Sequence, residues 1–170
     1  ALDSAGTVNV TATAPAYATT TRAVDLDPSG FIINTPGQIN TATFSANSSI
    51  NITSARLDPT TLAWAANQEL RAGIAPVSVP VTSSDTNVGT ITVSPVVFNA
   101  GIGSLNTAFD PANEGTTTIA VGTPAGFSTP TNSRQITATV SAPAINVGTP
   151  TVGKDLQTGL GVSLGVTPPV

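Results

Sequence analysis

Asn113–Pro143, NEGTTTIAVGTPAGFSTPTNSRQITATVSAP, reads as two strands joined by a Pro/Gly loop. Thr117, Ile119 and Val121 alternate with small or polar residues in the first half, and Ile136, Ala138 and Val140 do so in the second. A period of two is the mark of a strand with one face buried and one wet. The same order returns at the start of the chain in Gly6–Asp27, GTVNVTATAPAYATTTRAVDLD. There a glycine is followed by the alternating run Val8, Val10, Ala12, a Pro-Ala step, an aromatic, a Thr-rich loop, an arginine and a second alternating run. Gly115, Thr117/Ile119/Val121, Pro124-Ala125, Phe127, Thr129–Asn132, Arg134 and Ile136/Ala138/Val140 repeat that order about 109 to 112 positions later. The interval is the size of a domain, which makes this a tandem repeat.

Composition sets the class. Of 170 residues, 39% are hydrophobic, enough for a core, and only 8% are charged, so the polar surface must be built largely from Thr, Ser and Asn. Small and β-branched apolar residues favour strands, and frequent Pro and Gly forbid long helices. A net charge of −4, with five basic residues scattered singly, leaves no stripe for a phosphate backbone, so no nucleic-acid partner is expected. No run approaches the roughly 18–20 apolar residues of a membrane helix, and no membrane insertion is expected. This Thr/Ser/Asn-rich, Lys-poor, acidic β composition suits the extracellular space or cell surface of a prokaryote.

Strand patterns follow one another at roughly ten-residue spacing: Val77–Thr82, Gly89–Val93, Val96–Asn99, Leu105–Phe109, Thr116–Val121 and Gln135–Ser141. Such spacing is the signature of an all-β sandwich. Asn40–Phe44 and Ser49–Thr53 are shorter candidates, read as a hairpin across Ala46–Ser48, and Ala65–Leu70 is where a helical turn competes with strand. Three apolar-Asp-Pro steps, at Asp27-Pro28, Asp58-Pro59 and Asp110-Pro111, mark joints, because Asp caps a following N–H while Pro fixes φ and needs no partner. The order Asp110-Pro111-Ala112-Asn113-Glu114-Gly115 predicts one helical turn linking the two sheets. Three segments result: residues 1–29 hold the terminal strands of a preceding unit, 30–143 a complete sandwich, and 144–170 the opening strands of a following unit. Gly153–Leu160 echoes Asn67–Ile74, which sets Val162, Leu164 and Val166 in the place of Val77, Val79 and Val81.

The runs VPVTSSDTNVGTITVSPVVFNAG, TAFDPANEGTTTIAV, PAGFSTPTNSRQITATVSAP and VGKDLQTGLGVSLGVTPP resemble bacterial immunoglobulin-like tandem repeats of long secreted or surface proteins. The resemblance implies an immunoglobulin-like Greek-key β-sandwich and a role as a stalk, fibre or adhesin spacer. It carries fold-type motifs and no site.

Reaction chemistry has little to draw on. With no His and no Cys, the usual nucleophilic triads and zinc sites cannot be built. Lys154 is the only lysine; no S-x-x-K surrounds it, and it reads as an exposed turn residue rather than a nucleophile partner or a crosslinking site. Asp25 and Asp27 form the best candidate for a hard cation such as calcium, but two carboxylates fall short of its six to eight oxygens, and no cofactor is expected. Trp64 reads as a core or interdomain plug in preference to a sugar platform. The chain is therefore expected to be no enzyme but a structural segment of an extracellular fibre, filament or stalk, its partners being neighbouring repeats or copies of itself. One alternative is a pilin-like subunit polymerising by strand exchange through Val8, Val10, Ala12 and Val162, Leu164, Val166. A second is a carbohydrate- or protein-binding module using Phe44 and Trp64.

Overall fold

Thr117, Ile119 and Val121 are all buried, and so are Ile136, Ala138 and Val140, each alternating with more exposed neighbours. The two runs pair antiparallel, Gly115 opposite Val140 and Ile119 opposite Ile136, so both apolar sets lie on one face of a hairpin. This hairpin is one half of a sheet in an all-β structure. A computed structural model describes residues 6–165, in which fifteen strands occur and no helix.

In chain order these are β1 (Gly6–Ala12), β2 (Thr20–Leu26), β3 (Ser29–Thr35), β4 (Ile39–Ala42), β5 (Ser48–Leu57), β6 (Trp64–Asn67), β7 (Val77–Val79) and β8 (Val81–Ser83). They are followed by β9 (Gly89–Ile91), β10 (Val96–Phe98), β11 (Ser104–Pro111), β12 (Gly115–Val121), β13 (Gln135–Ser141), β14 (Ile145–Val147) and β15 (Val162–Leu164). One sheet runs β3-β5-β11-β9 with β6 added to β5, and the other runs β4-β13-β12-β8. With β3, β5, β11 and β9 as strands A, B, E and D, and β8, β12 and β13 as C, F and G, this is the strand order of an immunoglobulin-like sandwich. The first sheet's leading strand continues into β4, which crosses to the second sheet and pairs parallel with β13. β7 and β10 form a separate pair, and the hairpins β1–β2 and β14–β15 are two-stranded sheets of their own.

The core between the sheets is built on Phe31, Phe98 and Phe109 with Ile50, Ile52, Val79, Val81 and Ile119. Phe31 lies 5.0 Å from Phe98 and 4.9 Å from Phe127, ring centroid to centroid, tilted in both cases. Burying each such side chain contributes about 1.5–3 kcal/mol, which makes these residues the main cohesive term. Gly89 is required by this packing: a Cβ there would come within 2.3 Å of Cζ of Phe109. The buried Thr117 hydroxyl is satisfied as well. Thr117 Oγ1 accepts from the Asp85 N–H at 2.9 Å and shares hydrogen bonds with the Ser83 and Ser84 hydroxyls at 2.9 and 3.1 Å.

Three local expectations are corrected, and one open alternative is decided. β4 and β5 are no hairpin; the intervening turn, closed by the Ser45 N–H on the Ala42 carbonyl, carries the chain from one sheet to the other. Val77–Thr82 is two strands, because Pro80, lacking an N–H, interrupts the ladder and the chain changes partner from β10 to β12. Asp110-Pro111 starts no helical turn: both residues end β11, opposite Thr90 and Gly89, and the next two N–H groups bond to the Val88 carbonyl. Trp64–Asn67 is a strand on β5, since pairing with Leu57, Arg56 and Ala55 satisfies a backbone that a single helical turn would leave half unpaired.

Candidate assembly surfaces

Val8 and Val10 sit in β1 and face their partners Val24 and Arg22 in β2. The geometry of this hairpin is that of β12–β13. Gly6 and Gly115, 109 positions apart, open the first strand of each with φ of +146° and +149°, a region open to glycine but not to residues with a Cβ. Gly6 pairs with Leu26 as Gly115 pairs with Val140. Both hairpins turn through a Pro-Ala step with a residue of positive φ before the aromatic, Ala16 before Tyr17 and Gly126 before Phe127. In each turn the aromatic's N–H bonds back three residues, to Ala14 and Pro124. Pairing thus places Val8, Val10 and Ala12 at the positions of Thr117, Ile119 and Val121.

The environments differ. Ile119 is 0% exposed under the opposing sheet, whereas Val10 is 56% exposed, and Val8, Ala12 and Val24 lie open as well. Tyr17 is exposed where Phe127 packs on Phe31.

The C-terminal hairpin matches a different part of the sandwich from the one its Gly153–Leu160 echo suggests. Ile145 pairs with Leu164 as Ile33 pairs with Ile52, so all four fit a single interval of 112 positions. Val162 then takes the place of Ile50. β15 is accordingly the counterpart of β5 and not of β7, whose partner is β10. Ile52 is 0% exposed and Leu164 65%; Ile145 and Val162 are exposed too. Val166 lies outside the described residues.

At the joint between β2 and β3 the two carboxylates considered for calcium have different partners. Asp25 accepts a hydrogen bond from the Thr7 hydroxyl across the ladder at 2.8 Å. Asp27 is ion-paired with Arg56 at 2.6 Å, near the end of β5. Among the described residues no cluster of three or more potential metal-ligating His, Cys, Asp or Glu side chains forms. Beside this joint lies a cleft of about 460 Å³ lined by Asp27, Arg56, Glu69, Arg71, Leu70 and Phe127. At the second joint step, Asp58 Oδ1 accepts from the N–H groups of Thr60 and Thr61 and from the Thr61 hydroxyl. These bonds, the Thr61 N–H foremost, hold its carboxyl below the ordinary value of 3.8. Lys154 is exposed in the turn Gly153–Leu156. Phe44 is exposed in the turn after β4, and Trp64, 45% exposed, lies on the outer side of β6 instead of in the core. Sequence alone missed this because one aromatic in a short apolar run carries no periodicity by which to assign a face.

No family model matches the chain, and no curated protein matches it. Among solved structures, domains 4 and 5 of the S-layer protein SbsC align at 19% identity and a TM-score of 0.45, over 81% of this chain and 59% of that one. A longer SbsC structure, domains 1–6, aligns at 19% identity and 0.44, over 85% of this chain and 18% of the other. WR4, a C. elegans MSP family member, aligns at 15% and 0.39, over 62% and 94%. The chain thus spans 59% and 18% of the two SbsC structures. At these values the likeness assigns neither a family nor a function.

Proposed function

We propose that the chain is a non-catalytic structural segment of an array of immunoglobulin-like sandwiches on a prokaryotic cell surface or outside the cell. In this reading, residues 30–143 form a whole unit. Residues 1–29 close the unit before it, and 144–170 open the unit after it. One observation carries the proposal: the apolar faces of β1–β2 and β14–β15 lie open, while their counterparts 109 and 112 positions away are the centre of a core. Polypeptide equivalent to the opposite sheet would cover each face, removing apolar surface at about 25 cal/mol per Å². Low charge and uncharged Thr/Asn surfaces suit a chain whose task is extension and persistence.

Strand exchange between copies is the weaker reading for a topological reason. The two terminal hairpins together supply counterparts of β3, β5, β12 and β13, but none of β11, which joins β5 to β9, or of β8, the partner of β12. A sandwich assembled from them alone would leave both sheets half built.

The interval of 112 supplies its own test. Residues 54–143 appended after Gly165 would continue the repeat in phase and provide the missing strands. Amide hydrogen exchange of β14–β15 in this extended chain is expected to slow toward that of β3–β5. Unchanged exchange in β14–β15 would rule out the array reading.

A further inference from the structure

The outer face of the five-stranded sheet is the most built surface outside the core. Directly opposed residues of antiparallel strands share a face. The pairs Leu57–Trp64, Ala55–Asn67, Thr53–Ser104 and Asn51–Asn106 therefore lie on one side of the sheet, away from Ile50 and Ile52. Leu57, Ala55 and Ile32 form a small apolar floor at one end. From Ala55 to Asn51 the face carries carboxamides and hydroxyls over about 13 Å, at roughly 3.3 Å per residue.

Part of this face is concave. The connection after β6 and the Gly101–Gly103 turn border a shallow, open groove of about 610 Å³, whose polar lining is Asn34, Thr53, Asn67, Gln68, Glu69 and Ser104. Gly103 permits the close approach of the two walls, since a Cβ there would meet the Glu69 Cγ at 3.0 Å. The size is that of small-ligand sites.

Thr53, Ser104 and Asn67 of its lining are held before any ligand arrives, by partners beside the groove. The Asn51 amide donates to Ser104 Oγ and Asn106 Oδ1, both at 2.7 Å, and its oxygen accepts from the Thr53 hydroxyl at 2.9 Å. The Trp64 indole N–H donates to Asn67 Oδ1 at 2.8 Å, and the Trp64 backbone N–H to Asn132 Oδ1 at 2.8 Å. The indole is thus anchored through ring and backbone while 45% of the residue remains open to solvent. Fixing such groups in advance lowers the ordering cost of binding.

The lining selects the ligand. It contains no lysine or arginine to neutralise a phosphate, sulfate or carboxylate, and its single charge is the Glu69 carboxylate. Amides and hydroxyls offer paired donors and acceptors, and the Trp64 indole, bonded to Asn67 beside the groove, offers an apolar plane. We infer that this groove, from Asn67 and Gln68 to Ser104, together with the Trp64 indole bonded to Asn67 at its edge, binds a neutral oligosaccharide. The apolar C–H face of a sugar ring stacks on the indole, and ring hydroxyls bond to Gln68, Glu69 and the free Nδ2 of Asn67.

Affinity electrophoresis of the full chain tests this, in gels containing starch, β-glucan, mannan or xylan, with heparin and alginate as anionic counterparts. At least one neutral polymer is expected to retard the protein. Trp64→Ala and Gln68→Ala are expected to weaken that retardation about tenfold or more, and Phe44→Ala, on the other sheet's turn, to leave it unchanged. Gln68 is exposed, so its variant decides the outcome should Trp64→Ala lower the melting temperature. Retardation by anionic polymers alone, by no polymer, or undiminished in both groove variants overturns the assignment.

Discussion

Ile119→Ala and Val10→Ala are the same kind of truncation at equivalent positions of two hairpins, and their effects should differ severalfold. Ile119 is wholly buried. Removing three carbons there forfeits about 0.8 kcal/mol each and leaves a cavity, for a total of about 3–4 kcal/mol. Val10 is 56% exposed in a hairpin whose residues are all exposed except half-buried Leu26, so its truncation should cost less than about 0.5 kcal/mol. Ile52→Ala and Leu164→Ala form the second such pair, with the same contrast. Urea denaturation, followed by Phe and Trp fluorescence and by circular dichroism, reads the midpoints, and thermal melting should show the buried variants lower by more than about 10 °C. Comparable losses in both members of a pair would refute the reasoning, because they would mean that the terminal hairpins already have a covered face. A neutral Ile119→Ala would refute the sandwich core itself.

Further outcomes follow from single positions. Thr117→Val keeps the shape but leaves the Asp85 N–H without its acceptor, and should lower unfolding free energy by about 1–3 kcal/mol in urea titrations. Gly115→Ala adds a Cβ 2.7 Å from Val88 Cγ2 at a φ of +149°, whereas Gly6→Ala meets nothing within 4 Å at nearly the same φ. Melting curves should show Gly115→Ala losing at least about 1–3 kcal/mol, and Gly6→Ala leaving the main transition in place. Asp58, whose carboxyl titrates low in the folded chain, contributes stability above the ordinary value of 3.8 that is lost as pH falls through its folded value. Asp58→Asn keeps the acceptor for Thr60 and Thr61, and its stability profile should be flatter than the parent's over that acidic window.

The alternation at Thr117, Ile119 and Val121 was enough to place β12, its partner β13 and their common inner face, because period-two burial is written directly into side-chain type. The same holds for the hairpin Gly6–Leu26. Crossing points were not legible. Nothing local in Ile39–Ala42 says that it leaves β5 for β13, since parallel pairing about a hundred residues away is a property of the folded sheet. Val77–Thr82 reads as one strand through Pro80, and nothing local there marks the change of sheet. Asp110-Pro111 has the local form of a helix start and ends a strand instead, because Gly89 and Thr90 supply better partners. The equivalence of Leu164 with Ile52 became visible only through pairing, for the loop between them carries little likeness. Of the two places expected for Trp64, the core is excluded by its register opposite Leu57 on the outer face of the sheet.

The parallel ladder of β4 with β13 pairs Ile39 through Ala42 with Ala138 through Ser141. It ties a strand near the beginning of the sandwich to the strand at its end, running in the same direction. Tension applied through the two chain ends would therefore pull these neighbours past each other along their length. Their hydrogen bonds would be loaded together in shear rather than opened one after another, and the sandwich would resist traction most strongly along the axis on which an array extends.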